Sequence, residues 1–231
     1  MAVEPFKARV AKVALAAAHA EGFALAGGNA LAAHELLSRP TQDVDLFSPE
    51  PGGTGRVLEA VVAGLQADGF DVHVVRGSAE PGTDFAQLHV SRDGATTQLD
   101  LGRDWRAHHA VTLDIGPVLH LDDAVGAKVT ALLGRALARD FIDVAAALSR
   151  YPRQRLLELA FQRDPGLRVL DVALAAQRLD DLNDEQFMRY ALDVDQIRNL
   201  RNRFADWPRD SDVDDVALHA HELGHQREDP Q

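Results

Sequence analysis

The sequence contains no cysteine, which excludes disulfides, thiolate zinc sites and a cysteine nucleophile. Long apolar runs are missing as well. VALAAAHA and DVAAALS fall far short of the roughly 20 residues a membrane-spanning helix requires. The opening stretch MAVEPFKARVAK is charged where an export signal carries an apolar segment, so a cytoplasmic protein is expected. Basic side chains are the minority, 24 Lys+Arg against 36 Asp+Glu, and a formal charge of −12 excludes a generally basic nucleic-acid binder. No internal repeat and no long linker interrupts the chain.

What remains is an ordinary globular composition over 231 residues, 46% hydrophobic and 26% charged, enough for one large domain or two small ones. The charge is unevenly spread. Residues 150–209 carry 11 arginines among 10 acidic groups, whereas 210–231 carry 7 acidic groups and one arginine. The arginine-dense segment reads either as solvated helix faces or as a local basic surface for a polyanion.

Apolar spacing predicts a helix from Pro5 to Glu21, then a short strand Phe23–Ala26, a Gly27-Gly28 turn and a helix over 29–37. Asp43-Val44-Asp45-Leu46-Phe47 alternates with period two, as a half-buried strand does. A helix over 57–67 and strands over 71–75, 85–91 and 96–101 follow, the last two joined at Asp93-Gly94 as a hairpin. Beyond Pro117 the pattern is helical only, over 121–133, 135–149, 153–162, 167–178, 185–192 and 195–205. The expected organisation is an α/β (α+β) region 1–118, an all-helical region 119–210 and a flexible, acidic, His-rich tail 211–231.

Asp43 and Asp45 centre the chemistry. Two apart on a strand, they project from one face while Val44 points to the core. Two such charges call for a cation, and hard oxygen ligands suit Mg²⁺. Asp100 lies on a later strand between Leu99 and Leu101, with Gln98 and Gly102 marking the strand end. Three carboxylates on neighbouring strands can hold two metal ions that bridge an attacking hydroxyl and a triphosphate. Gly27-Gly28 before a helix lets the backbone approach an anion, and the helix start offers free N–H groups to phosphate oxygens.

The run AGGNALAAHELLSRPTQDVDLF resembles the first motif of the DNA polymerase β-type nucleotidyltransferases, in particular the AbiEii/AbiGii abortive-infection toxin branch. A second signature of that branch is matched by AKVTALLGRALARDFIDVAAAL, at Lys128, Arg135, Arg139, Asp140 and Asp143. The resemblance covers about residues 20–150. It implies a minimal nucleotidyltransferase mixed sheet with flanking helices, followed by a helical C-terminal region. It also implies transfer of NMP from an NTP to an RNA acceptor, with the 3′ end of tRNA as the expected one, and a separately encoded antitoxin. By the same resemblance Asp43, Asp45 and Asp100 would bind two Mg²⁺, and Gly27, Gly28 and Asn29 would cradle the β,γ-phosphates. Lys128, supported by Asp143, would neutralise the triphosphate, and Arg139 would contact the nucleotide. Asn29 departs from the Ser or Thr usual after the second glycine. Read on its own, the second motif offers an ordinary Arg139/Asp143 pair at helical spacing.

Two further signals compete. His221-Glu222-Leu223-Gly224-His225 is a literal HExxH, but six residues follow it and Gly224 weakens a helix, so the match reads as accidental. Phe204 and Trp207, following Arg198, Arg201 and Arg203, could stack on RNA bases or pack a helix end. Two alternatives stand beside the RNA-directed enzyme. One is a transferase acting on a small hydroxylated cation such as an aminoglycoside, and the other is a degenerate domain that binds a nucleotide or partner without turnover.

Overall fold

The computed structural model describes residues 3–37 and 39–209. The HELGH motif at 221–225 lies outside the described residues. The chain divides into two compact units, one ending at Lys128 and the other beginning at Val129.

The first unit is built on β1 (Ala24–Leu25), β2 (Asp43–Ser48), β3 (Asp71–Arg76), β4 (Phe85–Arg92), β5 (Ala95–Arg103), β6 (Val111–Leu113) and β7 (Gly116–Val118). Their order in the mixed sheet is β3-β4-β5-β2-β1-β7-β6, with β2 parallel to β5 and antiparallel to β1. Helices α1 (Pro5–Ala17), α2 (Gly27–Ala33) and α3 (Gly53–Ala67) accompany the sheet. The expected first helix ends early: a separate 3₁₀ turn, His19–Glu21, closes in a left-handed Gly22. Helix α3 starts four residues before the expected point, because its first turn contains glycines that carry no apolar period. The β6–β7 hairpin was not expected, since two three-residue strands are too short to show alternation. The β4–β5 hairpin matches the expectation: Asp93 and Gly94 have φ of 53° and 81°, the positive values a tight primed turn requires.

The pattern in β2 explains its place. Val44, Leu46 and Ser48 are buried and alternate with Asp43, Asp45 and Phe47, which are half-buried. Val44 and Leu46 join Val61, Leu65, Leu88, Leu99 and Leu101 in an apolar layer closed off from solvent. Helices α1 and α3 pack on one another, and α1 also contacts β2. Phe6 meets Phe70 edge-on at 5.7 Å, and the Arg92 guanidinium covers the Phe70 ring at 4.3 Å.

Helix α4 (Leu121–Arg135) is followed by α5 (Ala138–Ala147), α6 (Arg153–Arg163), α7 (Val169–Asp181), α8 (Asp184–Met188) and α9 (Val194–Arg203). The core of the second unit includes Phe141, Phe187, Phe204 and Trp207, all buried. Phe141 and Phe204 meet edge-on at 5.4 Å, and Phe204 and Trp207 at 4.9 Å. This corrects the base-stacking alternative: both aromatics are core. The neighbouring arginines serve packing too. Arg201 donates to the carbonyls of Leu179 and Leu182 that end α7, and Arg203 donates to that of Ala145.

Candidate active site

Strand pairing brings the three aspartates onto one face. Asp45 lies opposite Asp100 across the parallel β2–β5 ladder, and Asp43 lies opposite Gln98. On the far side of β5, Gln87 of β4 is opposite Asp100 and His89 is opposite Gln98. Paired residues share a sheet face, so two polar rows cross three strands: Gln87–Asp100–Asp45 and His89–Gln98–Asp43. The opposite face of the same strands carries Leu88, Leu99 and Val44, all buried.

Asp100 is held in place. Gln87 Nε2 donates to its Oδ1 at 3.2 Å, and Gln98 Nε2 donates to both oxygens at 3.0 Å. Burial raises the Asp100 carboxyl above its ordinary value; the two glutamine hydrogen bonds oppose that rise, and the Asp43 charge adds to it. Gln87 and His89 were not singled out from the sequence. Their signal was available in the alternation Gln87, His89, Ser91 against Ala86, Leu88, Val90.

Gly27 begins α2 directly beside Asp45. Its φ is +59°, and a Cβ there would sit 1.8 Å from Asp45 Oδ2. No side chain fits between the turn and the carboxylate, so the glycine is required by both backbone conformation and space. A Cβ on Gly28 would meet Thr41 Cγ2 at 2.9 Å. Asn29 is 1% exposed. Its Nδ2 donates to the Asp43 carbonyl at 2.7 Å, and its Oδ1 accepts from Thr41 Oγ1 at 2.7 Å. The amide expected in the phosphate cradle is engaged inside the fold and braces the start of β2.

The second motif divides between α4 and α5. Lys128 is half-buried on α4, while α5 carries Arg139 and, one turn on, the fully buried Asp143. Within the motif Arg135 pairs with Asp140, its Nε and a terminal nitrogen reaching the buried carboxylate at 2.9 and 2.8 Å. Arg139 Nε is buried with no hydrogen-bond partner among the described residues.

The arginine-dense segment is largely engaged within the chain. Arg153 pairs with Asp206, Arg155 with Glu158, Arg168 with Asp171, Arg198 with Asp195 and Arg209 with Asp180. A cavity of about 600 Å³ in the second unit is lined by Arg135, Arg168 and Arg178 together with Asp164 and Asp171.

Three carboxylates thus share one face of adjacent strands, and carboxylate oxygens are the hard donors that Mg²⁺ prefers. Among the described residues, no helix is long and apolar enough to cross a membrane.

The model of the family described as "Nucleotidyl transferase AbiEii toxin, Type IV TA system" matches residues 11–215. Solved structures share the fold. A nucleotidyltransferase toxin from Mycobacterium tuberculosis, MenT4, is 20% identical with a TM-score of 0.57, the match covering 94% of this chain and 88% of that one. A structure titled as a putative nucleotidyltransferase from Helicobacter pylori is 16% identical with a TM-score of 0.54, covering 95% and 96% of the two chains. JHP933 from the same organism is 15% identical with a TM-score of 0.54, covering 96% and 98%. The chain matches no curated protein.

Proposed function

The chain belongs to the AbiEii nucleotidyltransferase toxin family of type IV toxin–antitoxin systems, and from that membership we propose that it transfers NMP from an NTP to an RNA acceptor, the 3′ end of tRNA. The observation that carries the site is the in-register Asp45–Asp100 pair with Asp43 on the same face and Gly27 packed against Asp45.

Asp43, Asp45 and Asp100 would hold two Mg²⁺, whose chemistry is to neutralise the triphosphate and lower the pKa of the attacking hydroxyl. The protein's own groups do the positioning. Gly27 and Gly28 bring bare backbone to the edge of the site, where the start of α2 presents N–H groups to the β,γ-phosphates. Asn29 and Thr41 fix the Asp43 end of β2. Asp100, aimed by Gln87 and Gln98, accepts the proton of the acceptor hydroxyl. Lys128 serves as a point charge for the triphosphate. Fixed charges of this kind, aimed where charge develops, are the main source of catalysis in such a site.

The acceptor is the less constrained half. With a net charge of −12 and seven of the eleven arginines of 150–209 bonded within the chain, RNA would bind through a limited basic surface. A separately encoded antitoxin is the expected protein partner, as the family implies. The acidic charge also favours a second reading, a small hydroxylated cation as acceptor.

The test is to incubate the protein with Mg²⁺, each α-labelled NTP in turn and total tRNA, beside an Asp43→Ala/Asp45→Ala control. Label in tRNA with the wild type alone is the expected result. Label appearing only on an aminoglycoside would transfer the assignment to the second reading, and no label on any acceptor would overturn both.

A further inference from the structure

The polar rows of the sheet do not end at β4. On β3, His73 lies opposite His89 and Arg76 opposite Gln87. The rows therefore run Arg76–Gln87–Asp100–Asp45 and His73–His89–Gln98–Asp43 across four strands. Plain alternation would have sent Arg76 to the other side, because Val72 and Val74 oppose the buried Val90 and Leu88. A β-bulge prevents this. The register shifts between Val74 and Arg76, with Val75 as the extra residue, and a bulge of this kind re-aims a side chain next to a site. The contacts agree: the Arg76 guanidinium lies over the Phe85 ring, 5.5 Å from its centre. Phe85 is two residues before Gln87 on the same face and pairs with Gly102, two residues after Asp100.

Arg76, His73 and His89 are exposed. In the same unit Arg9, Arg56 and Arg103 are each paired with a carboxylate. Arg76 meets none among the described residues and is seated on Phe85 instead. Neighbouring strands are about 4.8 Å apart, so Arg76 stands two strands, about 10 Å, from Asp100. The one acidic side chain of β3, Asp71, is at the opposite end of the strand.

The direction from which an acceptor arrives follows from the reaction. In-line displacement places the attacking hydroxyl opposite the leaving pyrophosphate. Helix α2, whose start faces the β,γ-phosphates, follows β1 on one side of β2, whereas Asp100 stands on β5 on the other side. The acceptor therefore enters over β5, β4 and β3. We propose that Arg76 binds a backbone phosphate of the RNA acceptor near its reacting 3′ end, with His73 and His89 offering ring N–H donors beside it. A guanidinium already positioned on a ring gives a phosphate a fixed, charged fork of donors. This subsite depends on the transfer of NMP to RNA proposed for the carboxylate face, and it adds the side from which the RNA arrives.

The test measures binding of fluorescein-labelled tRNA by anisotropy without NTP, and transfer kinetics with Mg²⁺ and NTP, on the full chain. Arg76→Gln should weaken tRNA binding about tenfold and raise KM for tRNA equally, the loss of one charge-assisted hydrogen bond. KM for NTP should stay unchanged. The slope of log affinity against log salt should fall by about 0.7, the value for one phosphate of a single strand. Arg76→Gln/Val74→Arg restores the net charge on the other face and should not restore binding. Absence of tRNA binding by the wild type, wild-type affinity in folded Arg76→Gln, an equal rise in both KM values, or rescue by Val74→Arg would each overturn the proposal. tRNA bound through Arg76 but left unlabelled with every NTP would support the binding surface and overturn the transfer reading alone. Circular dichroism establishes that every variant compared is folded.

Discussion

Asp45 and Asp100 stand opposite each other across a parallel strand pair, although 55 residues separate them in the chain. Gly27 packs against the first of these carboxylates, and Gln87 and Gln98 bond the second. Each contact can be changed separately, and the consequences differ.

Gly27→Ala forces a Cβ to 1.8 Å from Asp45 Oδ2 at a φ of +59°. Either the turn or the carboxylate must move by an ångström or more. A displacement of that size in a positioned site costs about a hundredfold in rate, so nucleotide transfer should fall by that order. Circular dichroism should show the fold retained.

The raised pKa of Asp100 has a definite sign in stability. A carboxyl whose folded pKa exceeds its unfolded value binds more protons in the folded state, so stability declines as pH rises from the unfolded value through the folded one. Without divalent cation at neutral pH, Asp100→Asn should therefore raise Tm relative to wild type. Mg²⁺ should raise the Tm of wild type and leave that of the variant nearly unmoved. Thermal melts with and without Mg²⁺ measure both.

Gln98→Leu removes two hydrogen bonds that favour the ionised Asp100. The acidic limb of the pH–rate profile should move to higher pH, with transfer restored at more alkaline pH. A uniform loss across the profile would mean that Gln98 does not act through Asp100.

Thr41→Val deletes the donor to buried Asn29 Oδ1 and leaves that oxygen without it. The expected cost is about 1–3 kcal/mol, the penalty for an unsatisfied buried acceptor. Denaturant titration would read it as a lower midpoint at unchanged slope.

Arg135→Ala leaves the buried Asp140 without its bidentate partner, keeping the long 3.3 Å bond from Leu137 N. The loss should be about 1.5–3 kcal/mol for charge-assisted hydrogen bonds. Arg198→Ala removes an exposed pair with Asp195 and should cost under about 1 kcal/mol.

Much of the carboxylate site was legible because β2 alternates cleanly. One face of Val44 and Leu46 had to be buried, which placed Asp43 and Asp45 together on the other. Asp100 was legible from its apolar neighbours on the same principle. Strand order was not, since nothing local states that β2 inserts between β5 and β1. Asn29 was assigned to the phosphate cradle by the family resemblance; its side-chain partners, the Asp43 carbonyl and Thr41, follow from the way the chain returns after α2. The aromatics Phe204 and Trp207 followed three arginines and suggested stacking, but the second unit needed them as core.

The central claim is that the Asp43–Asp45–Asp100 face is where the phosphoryl bond is exchanged. Pyrophosphate release measured with each NTP, Mg²⁺ and total RNA, for wild type beside Asp45→Asn and Asp100→Asn, tests it most directly. The account predicts release with wild type and a fall of at least about a hundredfold in both variants while each remains folded. Release at the wild-type rate by either folded variant would contradict it.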